Sequence, residues 1–156
     1  MLPNLIQYPI VVLASLRLGL VIVNVDPMYT QRELVQQFKD SGAETVVVLE
    51  SFAFEVEQAL KKVAVKNVVI TKVGDCLPRL QALFVDGCAK HIKKAIPAYN
   101  IESSISFRHA MTKYAGKACG LVDAQIGHDD LVFLQYTGGT TGIPKGVELT
   151  LSLIHI

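Results

Sequence analysis

The sequence predicts an α/β domain: an alternating helix–strand layer with a largely parallel sheet. Two patterns carry this. Helical and extended segments take turns along residues 5–71, in the order helix–strand–helix–strand–helix–strand. The extended segments are short continuous apolar runs, as in Thr45-Val46-Val47-Val48-Leu49, which suits buried strands better than one-sided ones. The 156 residues fit about one domain and are enough to close a core.

Residues 5–18 place apolar side chains on a helical face, with Asn4 as the candidate cap and Gly19 as the stop. Val21-Ile22-Val23 with Val25 forms the first strand, and Asp26-Pro27 turns the chain. Thr30-Gln31-Arg32-Glu33 has the spacing of a capping box, so a helix starts there, turns Leu34, Val35 and Phe38 inward and stops at Gly42. Residues 45–49 make the second strand, 51–63 a helix and 67–71 the third strand. Periodicity is weaker over residues 75–105. Residues 77–95 suit a helix ending near Pro97, and Lys90, His91, Lys93 and Lys94 cluster near its end. Such a cluster suits a solvated helix end, where cations complement the dipole, or a patch that touches anionic lipid. Residues 107–114 suit a short helix and 116–127 a loop. His128-Asp129-Asp130 leads into a strand at 131–135. The adjacent acids would face opposite sides of a strand, so a turn role is expected for them rather than paired acid–base chemistry.

Composition sets limits on function. A net charge of +1 argues against a nucleic-acid binder driven by phosphate neutralisation. The chain is 51% apolar with a mean hydropathy of +0.38, rich enough that some apolar faces should need a partner or further chain. Cys76, Cys88 and Cys119 are widely spaced, form no CxxC and suit reduced thiols in the cytoplasm. The apolar first 25 residues have neither the basic start nor the cleavage site of a signal peptide. Pro9, Arg17 and Gly19 interrupt them, so a buried helix and strand are expected rather than one membrane span. His91, His109 and His128 have no evident partner and suit solvated or structural roles.

One stretch carries chemistry. "YTGGTTGIPKG", residues 136–146, holds four glycines, three threonines and a lysine between two strand-like segments. Glycine lets backbone amides approach a ligand and share one concavity, which suits an anion. Threonine hydroxyls add donors and Lys145 adds charge. Donor bonds of roughly 1.5–3 kcal/mol each to a charged group could anchor a polyphosphate. The pattern is not a P-loop, because Lys145 follows Pro144 and a strand rather than a helix comes next. Nor is it GxGxxG, because Gly138 and Gly139 are adjacent. It is a strand–loop–strand device. Tyr136 could pack near a nucleotide or be a plain strand-end aromatic.

The stretch 136–147, "YTGGTTGIPKGV", resembles the phosphate-binding signature of the adenylate-forming enzymes. The Thr-Gly-Gly-Thr-Thr-Gly form with Leu134-Gln135 before it is similar to that of bacterial long-chain fatty acyl-coenzyme A synthetases. Residues 1–43, 91–100 ("HIKKAIPAYN") and 106–111 ("SFRHAM") resemble the same branch. The resemblance implies a two-step reaction. A fatty carboxylate attacks the α-phosphate of ATP to give acyl-adenylate and pyrophosphate, and the thiol of coenzyme A then displaces AMP. It implies that Tyr136, Thr137, Gly138, Gly139, Thr140, Thr141, Gly142, Lys145 and Gly146 form the nucleotide site around the β- and γ-phosphates. Mg²⁺ is implied as a companion of the triphosphate. The implied partners are a long-chain fatty acid, ATP and coenzyme A, with no nucleic acid. A cytoplasmic location is implied, with peripheral contact at the inner face of the membrane and homodimerisation of the full-length enzyme left open. Another adenylate-forming enzyme and a non-catalytic nucleotide-binding module are the alternative readings.

The same resemblance implies that residues 1–150 are an incomplete large N-terminal domain. The family's magnesium-binding Thr-Glu motif, ribose-binding aspartate and catalytic lysine would all lie further along, so no catalytic residue is assigned within this chain. Met1 is expected to be an internal methionine. Residues 151–156, Leu-Ser-Leu-Ile-His-Ile, read as the translation of a sequencing-library adapter (CTG TCT CTT ATA CAC ATC) and are expected to be a non-native tail, which leaves His155 without a catalytic or metal role. The 156-residue chain alone is expected to be poorly soluble and without ligase activity.

Overall fold

The computed structural model describes residues 1–89, 96–116, 124–137 and 144–153. Among these residues it is a mixed α/β structure with two three-stranded sheets. Helix α1 (Gln7–Arg17) starts later than expected and Asn4 is not its cap. The amide of Leu5 bonds the Pro3 carbonyl at 2.7 Å, so residues 3–5 are a tight turn, and Ile6 takes the cap position with no side-chain bond. Gln7, fully buried, then fixes the helix start by donating from Nε2 to the carbonyl of Lys72 at 2.8 Å. Pro9 is tolerated because its missing N–H falls in the first turn. Gly19 stops the helix with φ +66°, and the Leu20 amide closes back onto the Ser15 carbonyl at 3.0 Å.

Strand β1 (Ile22–Asn24) leads to a turn in which Asp26 accepts from the Met28 amide at 2.8 Å. Helix α2 (Gln31–Ser41) opens on the expected capping box. Both the amide and the hydroxyl of Thr30 donate to the Glu33 carboxylate at 2.7 Å. These bonds hold the Glu33 carboxyl below its ordinary value, the hydroxyl contributing most and the amide next. Gly42 ends α2 at φ +63°.

Strands β2 (Thr45–Leu49) and β3 (Asn67–Thr71) have the bounds their apolar runs suggest and pair in parallel, Val46 beside Val68 and Val48 beside Ile70. Between them a 3-10 turn over Glu50–Phe52 precedes α3 (Ala53–Leu60), so the regular helix is shorter than the expected 51–63. Leu34 and Phe38 of α2, Val56 and Ala59 of α3, and Val46, Val48, Val68 and Ile70 of the sheet form the core. Met1 joins it, its backbone nitrogen donating to the Val47 carbonyl at 2.9 Å.

Helix α4 (Arg79–Gly87) begins after Pro78, because a residue before proline favours extended backbone, as Leu77 shows with ψ 157°. The basic cluster Lys90, His91, Lys93 and Lys94 lies outside the described residues. A strand that the sequence pattern did not reveal, β4 (Ser104–Ser106), pairs in parallel with β3. Helix α5 (Phe107–Tyr114) follows at the expected place.

The second sheet is built from distant segments. Strand β5 (Leu131–Thr137) lies parallel to β1, with Val23 beside Leu134, and antiparallel to β6 (Lys145–Thr150). Asp130 makes the expected turn before β5, accepting the Gly127 amide at 2.7 Å. Three of the four strand pairings are therefore parallel, but they are divided between two sheets rather than collected in one. Among the described residues no helix is long and apolar enough to cross a membrane.

Candidate nucleotide site

The glycine- and threonine-rich stretch connects β5 and β6, as the strand–loop–strand reading expects. Thr137 and Lys145 face each other as the last pair of the ladder, where the connection leaves the two strands. Lys145 is exposed. Gly138, Gly139, Thr140, Thr141 and Gly142 lie outside the described residues. The mouth opens at the carboxyl ends of β1 and β5, the side on which parallel sheets present ligand sites.

Tyr136 and Gly146 form the pair just below the mouth. A Cβ at Gly146 would stand 3.2 Å from Cζ of the Tyr136 ring, so the glycine is what lets the ring lie across its neighbour strand. The Tyr136 hydroxyl donates to Oδ2 of Asp40 on α2 at 2.5 Å. Burial first, then this bond and the negative charge of Asp40, push the Tyr136 pKa up to about 12, so the phenol remains a neutral donor around pH 7.

A polar belt sits beside this pair. The Asn24 amide donates to Oε1 of Gln135 at 3.0 Å, and the Tyr8 hydroxyl donates to Oδ1 of Asn24 at 3.2 Å. Gln37 of α2 donates to the Asn24 carbonyl at 2.9 Å, while its Oε1 is buried with no partner among the described residues. Asp40, Asn24 and Gln37 were not singled out in the sequence. Their only signal is that Gln37 and Asp40 share one helix face at i, i+3.

The donor set suits an anion. Of the described residues at the mouth, Thr137 supplies a hydroxyl and Lys145 an ammonium, and no carboxylate belongs to the last two ladder pairs. Among the described residues no cluster of three or more His, Cys, Asp or Glu could hold a metal ion. A separate cleft of about 570 Å³ between β1 and β2 is lined by Val21, Val23, Phe38, Val46 and Val47. Tyr8, Ser15, Asn24, Ser41 and Thr45 also border it, so its lining is mainly apolar with a few polar groups.

A family model described as AMP-binding enzyme matches residues 1–155. The chain is 43% identical over 150 residues to a long-chain-fatty-acid–CoA ligase of Escherichia coli O157:H7, covering 96% of this chain and 26% of that protein. It is 44% identical to a protein of the same name from Haemophilus influenzae, with the same coverage. The chain thus spans about a quarter of the length of the curated relatives it matches. Among solved structures, it is similar to the adenylation domain of a carboxylate reductase from Mycobacterium chelonae. That match has TM-score 0.67 and 18% identity over 95% of this chain and 22% of that one, and shows the shared fold.

Proposed function

The chain belongs to the AMP-binding enzyme family, and from that premise we propose that it is part of a long-chain fatty acid–CoA ligase. Such an enzyme activates a fatty acid with ATP to an acyl-adenylate, releases pyrophosphate and passes the acyl group to coenzyme A. The observation that supports this reading is the β5–β6 hairpin, whose last ladder pair, Thr137 and Lys145, brackets the glycine–threonine stretch in the chain. Relatives named long-chain-fatty-acid–CoA ligases, at 31–44% identity, favour the long-chain fatty substrate.

In this reading the amides and hydroxyls of residues 137–142 hold the β- and γ-phosphates, and Lys145 balances charge that grows on the leaving pyrophosphate. Donors fixed before the reaction stabilise that charge without a reorganisation cost, and they hold the α-phosphate in line for the carboxylate. Tyr136 and Gly146 shape the flank. Mg²⁺, when bound with the nucleotide, would shield the triphosphate, and the triphosphate oxygens themselves would be its main ligands on this side of the site. The protein is read as cytoplasmic, with its fatty substrate favouring peripheral contact at the membrane's inner face.

Residues 1–150 are read as part of a large AMP-binding domain and 151–156 as a non-native tail. The amides of Leu151 and Ser152 bond the carbonyls of Asp130 and His128 at 3.0 and 2.8 Å. Backbone bonds of this kind do not depend on side-chain identity, so they sit equally well with a foreign sequence. Ordinary genomic codons at 151–156, unlike those of the adapter, would refute the tail.

The activity test is fatty-acid-dependent exchange of labelled pyrophosphate into ATP by the complete gene product. Exchange with long-chain fatty acids and not with coumarate is the expected result. Exchange unaffected by Lys145→Ala combined with Thr140→Ala and Thr141→Ala would overturn the assignment of the loop.

A further inference from the structure

We propose that Asp40 is a positioning residue for the nucleotide loop, acting through Tyr136; the inference rests on the loop reading above and names a residue that the signature does not contain. Asp40 lies in the last turn of α2, 96 positions from Tyr136, and accepts the phenol's hydrogen bond at 2.5 Å. Tyr136 is the residue before Thr137, where the ladder stops and the loop leaves. Its ring is 8% exposed and lies against Gly146 on the opposite strand. The side chain therefore touches both legs of the hairpin at its base, and its outer end is tied to a helix.

That helix is itself anchored to the same sheet. Gln37, one turn before Asp40, bonds the Asn24 carbonyl of β1, and β1 pairs with β5. Helix, strand and hairpin base thus form a closed loop of contacts. A two-stranded hairpin held only by its ladder hydrogen bonds is free to twist. The Asp40–Tyr136 bond removes that freedom where Thr137 and Lys145 flank the mouth. Donors held in place before binding lose less entropy on capture of a ligand, so the bond should appear as affinity for the nucleotide. Asp40 itself is exposed and outside the core, so its replacement leaves the hydrophobic packing in place.

The test uses the complete gene product with Asp40→Ala, Asp40→Asn, Tyr136→Phe and the Asp40→Ala/Tyr136→Phe pair. Steady-state kinetics and thermal unfolding are measured on each. Asp40→Ala and Tyr136→Phe should each raise KM for ATP about tenfold, the worth of one hydrogen bond to a charged group, and leave KM for the fatty acid within about twofold. Asp40→Asn, which still offers a carbonyl oxygen to the phenol, should recover most of the loss. The pair should be no worse than the poorer single variant, because both remove one bond. A fall in melting temperature with KM for ATP unchanged would show a purely structural bond and overturn the inference, as would additive effects in the pair. The loop variants Lys145→Ala, Thr140→Ala and Thr141→Ala, assayed alongside, separate the two levels. If they raise KM for ATP and Asp40→Ala does not, only this inference falls. If they too leave it unmoved, the loop reading falls and takes this one with it.

Discussion

Replacing Gly146 by alanine sets two effects of opposite sign against each other at the hairpin base. Glycine within a strand costs roughly 0.5–1 kcal/mol relative to alanine, through the freedom it loses on folding. Among the described residues the positive-φ glycines are Gly19, Gly42 and Gly116, and Gly146 is not one of them, so alanine meets no dihedral penalty there. Against this, the new Cβ would stand 3.2, 3.4 and 3.5 Å from Cζ, Cε2 and Cε1 of Tyr136. Carbon contacts are ordinarily about 3.5–4.0 Å, so the ring has to retreat by a few tenths of an ångström. Its hydroxyl is held by Asp40 at 2.5 Å, so retreat stretches that bond or bends the strand. Overpacking of this kind costs about 1–3 kcal/mol. The steric term wins, and Gly146→Ala should destabilise by about 1 kcal/mol, or about 2–4 °C in a domain of this size. The decisive assay is a cycle in urea followed by far-UV circular dichroism. With Tyr136→Ala in the background the obstacle is gone, and the same Gly146→Ala change should stabilise by about 0.5–1 kcal/mol. An effect of the same sign in both backgrounds would refute the account of why residue 146 is glycine.

Three further outcomes follow from the same structure. Leu34 is fully buried and Leu80 is 84% exposed; Leu34→Ala should cost about 2–5 kcal/mol in urea unfolding and Leu80→Ala under about 0.5 kcal/mol, and equal shifts in midpoint would show that Leu34 is not in the core. Because the Glu33 carboxyl is held below its ordinary value, its contribution is fully present above the unfolded glutamate pKa and is lost as pH falls through the lowered folded value; thermal unfolding of Glu33→Gln should therefore fall short of wild type at neutral pH and converge with it in acid, and a gap independent of pH would contradict the capping box. At Gly74 a Cβ would come within 2.8 Å of the Ala82 Cα and of the Asp86 carboxylate; backbone cannot yield as a side-chain tip can, so Gly74→Ala should cost about 3 kcal/mol or more, and a melting temperature equal to wild type would disprove that close approach.

The elements that the sequence specified are those whose cause is local. The runs at 45–49 and 67–71 became β2 and β3 with their ends unchanged, because a continuous β-branched segment has few other ways to bury itself. Gly19 and Gly42 ended helices because only glycine enters the left-handed region cheaply, and Thr30 with Glu33 began one because their groups reach each other three residues apart. The proposal of an anion site in the glycine–threonine stretch rests on composition and resemblance, while the structure adds the strands on either side of it. Tertiary structure decided what depends on partners far along the chain. The pattern does not say that β1 leaves β2 and pairs with β5, since periodicity fixes which face of a strand is apolar and not which strand lies beside it. Ser104-Ile105-Ser106 becomes β4 because β3 has an open edge to offer, not because serine favours a strand. Asn4 lost its capping role to a turn and to the distant anchor of Gln7. The bond from Tyr136 to Asp40 spans 96 residues, and a hydrogen bond of a few ångströms leaves no trace in sequence order when only folding brings its two ends together.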